Sequence, residues 1–134
     1  VRYVPCWKQI GISKDRYIEL LHYCRQYPEW KFEANSMLGV RAVRITGLPS
    51  GGGKSDPVAQ AVARREKLMS KVELIEDCAV AVGQGEWVMA IIQNVCYGKP
   101  YSALNITVLP SSNRNHFFRM RREFFALLDK KKAD

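Results

Sequence analysis

Two stretches of this 134-residue chain hold residue types whose spacing could carry chemistry. The first is GLPSGGGKSDP at 47–57 and the second is NRNHFFRMRR at 113–122. A Gly-rich run ending in Gly-Lys-Ser suggests a phosphate-binding loop. That loop needs a glycine five positions before the one that precedes lysine, so that successive backbone amides point at the phosphates. Counting back from Gly53 reaches Leu48, one place off Gly47. The loop also needs a helix opening at the Lys54-Ser55 step. Here Asp56 and Pro57 place the helix start later, as N-cap and first helical residue. The run therefore reads as a flexible Gly/Ser hinge.

Other chemistry is thinly supported. Cys6, Cys24, Cys78 and Cys96 are scattered without a CxxC pair or an adjacent histidine, so no zinc site is expected and buried free thiols are. His22 and His116 are the only histidines, and no catalytic constellation can be built from their spacing. The expectation is a protein that is not an enzyme, with no cofactor and no metal. No run approaches the ~18 apolar residues of a membrane span, and none resembles a signal peptide. A cytoplasmic location without membrane contact is expected.

The formal net charge is +8 at pH 7, and it is unevenly spread. Residues 1–46 carry a net +4, residues 47–110 balance, and residues 111–134 carry another +4 in 24 positions. Positive charge focused on one terminal segment is an electrostatic footprint for nucleic acid.

The elements that must position these residues are helical. Ser13–Tyr27 reads as a helix capped by Ser13, with Tyr17, Leu20, Leu21 and Cys24 as its apolar stripe and Pro28 interrupting it. Glu29–Leu38 resumes as helix and ends at Gly39, and Val40–Thr46 has the composition of a short strand. Beyond the hinge, Pro57–Val82 is the longest helix, ~39 Å at 1.5 Å per residue. Its Val58, Ala61, Arg65, Leu68, Val72, Ile75, Ala79 and Val82 follow three-four spacing, broken only by Arg65. That seam suits either the protein's own helices or a homodimer through 57–82. Gly83-Gln84-Gly85 breaks the chain, and EWVMAIIQNVCYG forms a core helix ended by Gly98. A short helix over Lys99–Leu104, a loop over Asn105–Pro110 and a last helix from Asn113 to about Lys130, capped by Ser111 or Ser112, complete the chain. The fold class is all-α, a helical hairpin and long helix followed by a helix-turn-helix. It is organised as an N-terminal helical segment (1–46), a linker (47–56) and a C-terminal unit (57–134).

On the last helix, Phe117, Met120, Phe124, Leu127 and Leu128 fall within an arc of ~100°. Asn115, Arg119 and Arg122 lie opposite, with Arg114 and Arg121 flanking beside Phe118 and Phe125. Arginine forks guanine and asparagine pairs with adenine at base edges. A helix, a break, a short helix, a loop and such a helix make the layout of a helix-turn-helix reader.

With DRYIELLHYCRQYPEWK near the start, SDPVAQAVARREKLMSKVELIE after the linker, and NVCYGKPYSAL followed by PSSNRNHFFRMRREFFALLDK, the chain resembles phage late-transcription regulators of the RinA/ArpU type. Their C-terminal part is similar to the DNA-reading fourth region of sigma factors. The resemblance runs over most of the chain from about Ser13. It implies a DNA-binding regulator of phage late genes in the bacterial host cytoplasm. It also implies that the last helix is the recognition helix, with Ser112, Asn113, Arg114, Asn115, Arg119 and Arg122 at its start and outer face. The loop Asn105–Pro110 is longer than the tight turn of such readers.

Double-stranded DNA is thus the expected partner. Two other readings stand beside it. One is a phage packaging component such as a small terminase-like subunit. The other is an adaptor on host RNA polymerase that uses Tyr3, Trp7, Tyr17, Tyr23, Tyr27 and Trp30, unless those aromatics form a small core.

Overall fold

The computed structural model describes residues 4–44, 57–104, 109–110 and 113–133, with side chains described throughout except at 37–44. Among the described residues the fold is all-α: α1 (Cys6–Gln9), α2 (Lys14–Arg25), α3 (Tyr27–Arg44), α4 (Pro57–Gly83), α5 (Val88–Val95), a 3-10 turn at Tyr101–Ala103, and α6 (Arg114–Ala133). No described helix is long and apolar enough to cross a membrane. The Gly/Ser hinge at 47–56 lies outside the described residues.

Local chemistry sets most of the boundaries. The Ser13 hydroxyl accepts from the Arg16 amide at 3.0 Å and so caps α2, as its sequence position anticipates. The break between α2 and α3 falls at Gln26, with Pro28 inside the first turn of α3, where its missing N–H costs nothing. Gly39 does not end α3, and the strand expected over Val40–Thr46 is helix through Arg44. A single mid-helix glycine costs only about 1 kcal/mol relative to alanine, so it does not terminate a helix by itself.

Gly83 closes α4 because α5 starts too close for any side chain: a Cβ there would sit 2.9 Å from the Val88 nitrogen. Gln84 then takes a left-handed φ of 50° to turn the chain. Gly98 ends the α5 region with φ 74°, and a Cβ on it would meet an Arg25 guanidinium nitrogen at 2.7 Å. That guanidinium is held by its Nε donating to the Val95 carbonyl at 2.9 Å, a cation at a helix C-terminus.

α3 and α4 run antiparallel. Arg64 pairs with Glu33, Arg65 donates to the Ala34 carbonyl at 3.3 Å, Lys71 lies over the Trp30 ring, and Tyr27 reaches Glu76. Arg65, the polar break in the long seam, is thus used at the side of the hairpin. The seam itself is filled from within: Leu68, Val72, Ile75 and Ala79 are buried among the chain's own residues. In the first turns of α4, Val58, Ala61 and Val62 are half-buried.

One hydrophobic cluster joins α2, α3, α4, α5 and α6, running from Leu20 to Leu128. Of the N-terminal aromatics, Tyr17, Tyr23, Tyr27 and Trp30 are part of this packing, while Trp7 is half-buried outside it. Tyr27 is buried and Trp30 nearly so, Tyr23 stands edge-on to Trp30 at 4.9 Å, and Tyr17 packs on Phe125 at 5.0 Å. Tyr3 lies outside the described residues.

Two predictions come from this core. Tyr27 donates to Glu76 at 2.8 Å and accepts from Lys31 at 3.1 Å. Burial, reinforced by the bond to Glu76, pushes its phenol up to about 12. The neutral form is favoured in the fold, so its contribution to stability is complete below the ordinary phenol pKa near 10 and is lost as pH rises through about 12. Denaturant midpoints of wild type and Tyr27→Phe, measured across that window, should converge at its upper end.

The second concerns the thiols. Cys24, Cys78 and Cys96 are buried and Cys6 is half-buried, all as free thiols. The Cys24 thiol is driven up by its hydrogen bond to Cys96 and by burial, and burial also raises Cys78 and Cys6. Thiolate is the reactive form. A thiol-reagent titration of the native protein should therefore show one accessible group, removed by Cys6→Ser.

Candidate nucleic-acid interface

The N-terminal half of α6 is anchored by Asn113. Its side-chain oxygen accepts from the His116 amide at 3.0 Å, while its carbonyl accepts from the Phe117 amide. Asparagine is among the best N-caps, because its short side chain reaches the third amide of the helix. The cap is therefore Asn113, and its acceptor oxygen is engaged within the helix rather than directed at a ligand. Ser111 and Ser112 lie outside the described residues.

From that start, α6 distributes its side chains by rotation. Phe117, Phe124, Phe125 and Leu128 are fully buried and Met120 nearly so. Phe125, placed at the flank by angle alone, is buried because α2 lays Tyr17 across it. α1, α2, α4 and α5 all contact α6. The face open to solvent is consequently narrower than the amphipathic pattern suggests: Asn115, Arg119, Glu123, Ala126 and Lys130. Arg122 is half-buried, close enough to α1 for its charge to act on the Cys6 thiol. His116 is half-buried with its ring edge-on to Trp87 at 5.2 Å, a packing role.

The arginines divide into distinct environments. Arg119 is exposed, and no ion pair among the described residues involves it. Arg114 is exposed but turned aside, its guanidinium 5.0 Å from the Phe118 ring centre and 5.5 Å from that of Tyr101. Arg121 is held by neutral acceptors: its Nε donates to the Asn94 side-chain oxygen at 2.8 Å and its Nη2 to the Tyr17 hydroxyl at 2.9 Å. It also lies over the Phe125 ring at 5.0 Å. Asn94 is fixed in turn, its amide donating to the Lys99 carbonyl at 2.8 Å.

Arg114, Phe118 and Arg121 share one side of α6, facing the end of α5, the 3-10 turn and α2. Between these elements lies a cleft of about 380 Å³. The i, i+4, i+7 spacing of these three residues was visible in the sequence. Their partners Tyr17, Asn94 and Tyr101 come from three other elements, so the cleft itself was not. Among the described residues no group of three or more His, Cys, Asp or Glu gathers as metal ligands.

Of the six residues singled out from the sequence, the structure thus leaves Asn115 and Arg119 facing outward. It makes Asn113 a cap, turns Arg114 towards the cleft and leaves Arg122 half-buried. Asn113→Ala should lower stability by about 1 kcal/mol, and Asn113→Ser should recover most of it, in equilibrium unfolding. No family model, no curated protein and no solved structure matches this chain, so the assignment of α6 rests on its own residues.

Proposed function

We propose that this chain is a DNA-binding protein, without enzymatic activity, that contacts duplex DNA through the first half of α6 as a regulator of transcription. The observation that carries this reading is the pair Asn115 and Arg119, exposed on adjacent turns of a helix that holds four arginines before its first carboxylate, Glu123. Their Cβ atoms stand ~5–6 Å apart on the helix surface. That suits two neighbouring base steps at about 3.4 Å each. Asparagine and arginine are the side chains that read adenine and guanine edges in the major groove.

The surrounding elements support a helix-turn-helix use of this helix. α5 is short and packs Ala90, Ile91, Ile92 and Val95 into the core, the 3-10 turn lies between it and α6, and the chain's charge of +8 favours a polyanion. Because α1, α2, α4 and α5 cover the rest of α6, approach to a groove about 12 Å wide is by its N-terminal turns and not along its length. The resemblance to phage late-transcription regulators supports assigning the role of operator-binding regulator over that of a packaging subunit.

Fluorescence anisotropy on phage promoter-region duplexes at two salt concentrations tests the reading. Binding should weaken steeply with salt, because releasing condensed counterions gains less as the bulk concentration rises. Asn115→Ala and Arg119→Ala should each cost about 1–3 kcal/mol on the preferred duplex. Unchanged affinity in both variants would reject the role given to α6.

A further inference from the structure

The cleft beside α6 has a charge pattern that the fold does not require. Arg114 and Arg121 both line it, together with Tyr17, Asn94, Tyr101 and Phe118, and no carboxylate is among the lining residues. The ion pairs of the described residues are Arg16 with Glu19 and Asp129, Lys31 with Glu76, and Arg64 with Glu33. Neither cleft arginine takes part. Two guanidinium groups thus meet one concave, aromatic-walled space with only neutral groups around them. With no carboxylate on its walls to cancel them, the two positive charges attract an anion.

The two arginines are also prepared differently. Arg121 spends two of its five N–H donors on Asn94 and Tyr17, which fix the plane of the guanidinium and leave the other donors for a ligand. A fork held in place in this way suits phosphate oxygens. Arg114 makes no side-chain hydrogen bond to another described residue and rides instead on the Phe118 and Tyr101 rings. A guanidinium plane backed by aromatics is a platform on which a nucleobase stacks. Seven residues of helix, about 10 Å, separate the two positions along α6, the length scale of a nucleotide from phosphate to base. The cleft volume of about 380 Å³ lies at the small end of ligand pockets, which suits one such unit.

We propose that this cleft binds a single nucleotide unit, its phosphate on Arg121 and its base against the Arg114–Tyr101–Phe118 stack. The unit comes either from a free mononucleotide or from the 5′-phosphorylated end of a nucleic-acid strand. This site is separate from duplex reading by Asn115 and Arg119, which lie outside the cleft.

Calorimetric titration with adenosine monophosphate, adenosine and inorganic phosphate tests it on the whole chain. Adenosine monophosphate should bind saturably and at least about tenfold more tightly than adenosine, the phosphate supplying a charge-assisted contact. Arg114→Ala and the rim variant Ser102→Trp should each weaken binding about tenfold while leaving Arg121 and its hydrogen bonds in place. Arg119→Ala should leave nucleotide binding unchanged whatever it does to duplex binding, so failure of either proposal is seen separately. Tighter binding of a 5′-phosphorylated single strand than of the mononucleotide identifies strand ends as the source, and equal affinity identifies the free nucleotide. The proposal is overturned by equal affinity for adenosine and its monophosphate, or by retention of binding in both cleft variants. Loss of binding on Lys54→Ala alone would also overturn it, moving the site to the Gly-rich run. So would an unphosphorylated strand that matches the phosphorylated one while the mononucleotide shows no binding, since that is attraction to the strand backbone.

Discussion

The burial of one face of α6 is the constraint on which the rest of the molecule depends. Phe117, Phe124, Phe125 and Leu128 are all completely removed from solvent. Burying a phenylalanine or leucine is worth about 1.5–3 kcal/mol each, so four at one helix are comparable to the whole net stability of a small domain. Satisfying that face requires neighbours on more than one side, and α1, α2, α4 and α5 all converge on it. Surface left on α6 for a partner is therefore a remainder, fixed by where those helices stop.

Charge pairing follows the same division. Among the described residues three cations outside α6 have carboxylate partners: Arg16 bonds Asp129 at 2.6 Å as well as Glu19, Lys31 meets Glu76, and Arg64 of α4 meets Glu33. Asp129 belongs to α6, yet its carboxylate serves α2, which deprives the terminal helix of one of its few acids. The half of α6 before Glu123 is left with guanidinium groups facing neutral atoms, rings or water. Exposed ion pairs contribute little to stability, so this asymmetry says little about folding. Its consequence is that the first half of α6 holds four arginines with no carboxylate partner among the described residues, one basic region beside that of Lys130, Lys131 and Lys132 at the other end of the helix.

Local signals made much of the fold legible. The Ser13 cap, Pro57 at the start of α4, and Gly98 with its left-handed φ act through their own backbone and side chains, and each sits where its type implies. The failures needed information from elsewhere in the chain. Gly39 reads as a stop although its cost is small, yet α3 continues to Arg44. Cys78 is fully buried outside the three-four seam of α4, because α4 packs against α3, α5 and α6 and so buries more than one stripe. The candidate site was half legible for the same reason. Outward Asn115 and Arg119 are a property of helix rotation, whereas the places of Arg121 and Arg114 are decided by Asn94 and Tyr101, and no spacing within the helix encodes those.

Asn113, Arg114 and Asn115 show how little residue type alone decides. The first closes the helix on its own amides, the second lies on two aromatic rings at the edge of a cleft, and the third points to solvent. The differences arise from about 100° of rotation per residue and from what stands opposite each position. The same rotation separates the cleft side, which carries Arg114, Phe118 and Arg121, from the outer side, which carries Asn115 and Arg119. Both sides lie within the first two turns or so of one rigid helix, so a ligand on either has its position fixed by the same aromatic core. Under the two proposals, these adjacent surfaces, one concave with aromatic walls and one convex and open, take different forms of phosphate. The concave one suits a unit small enough to enter, and the convex one suits a groove wide enough to receive it.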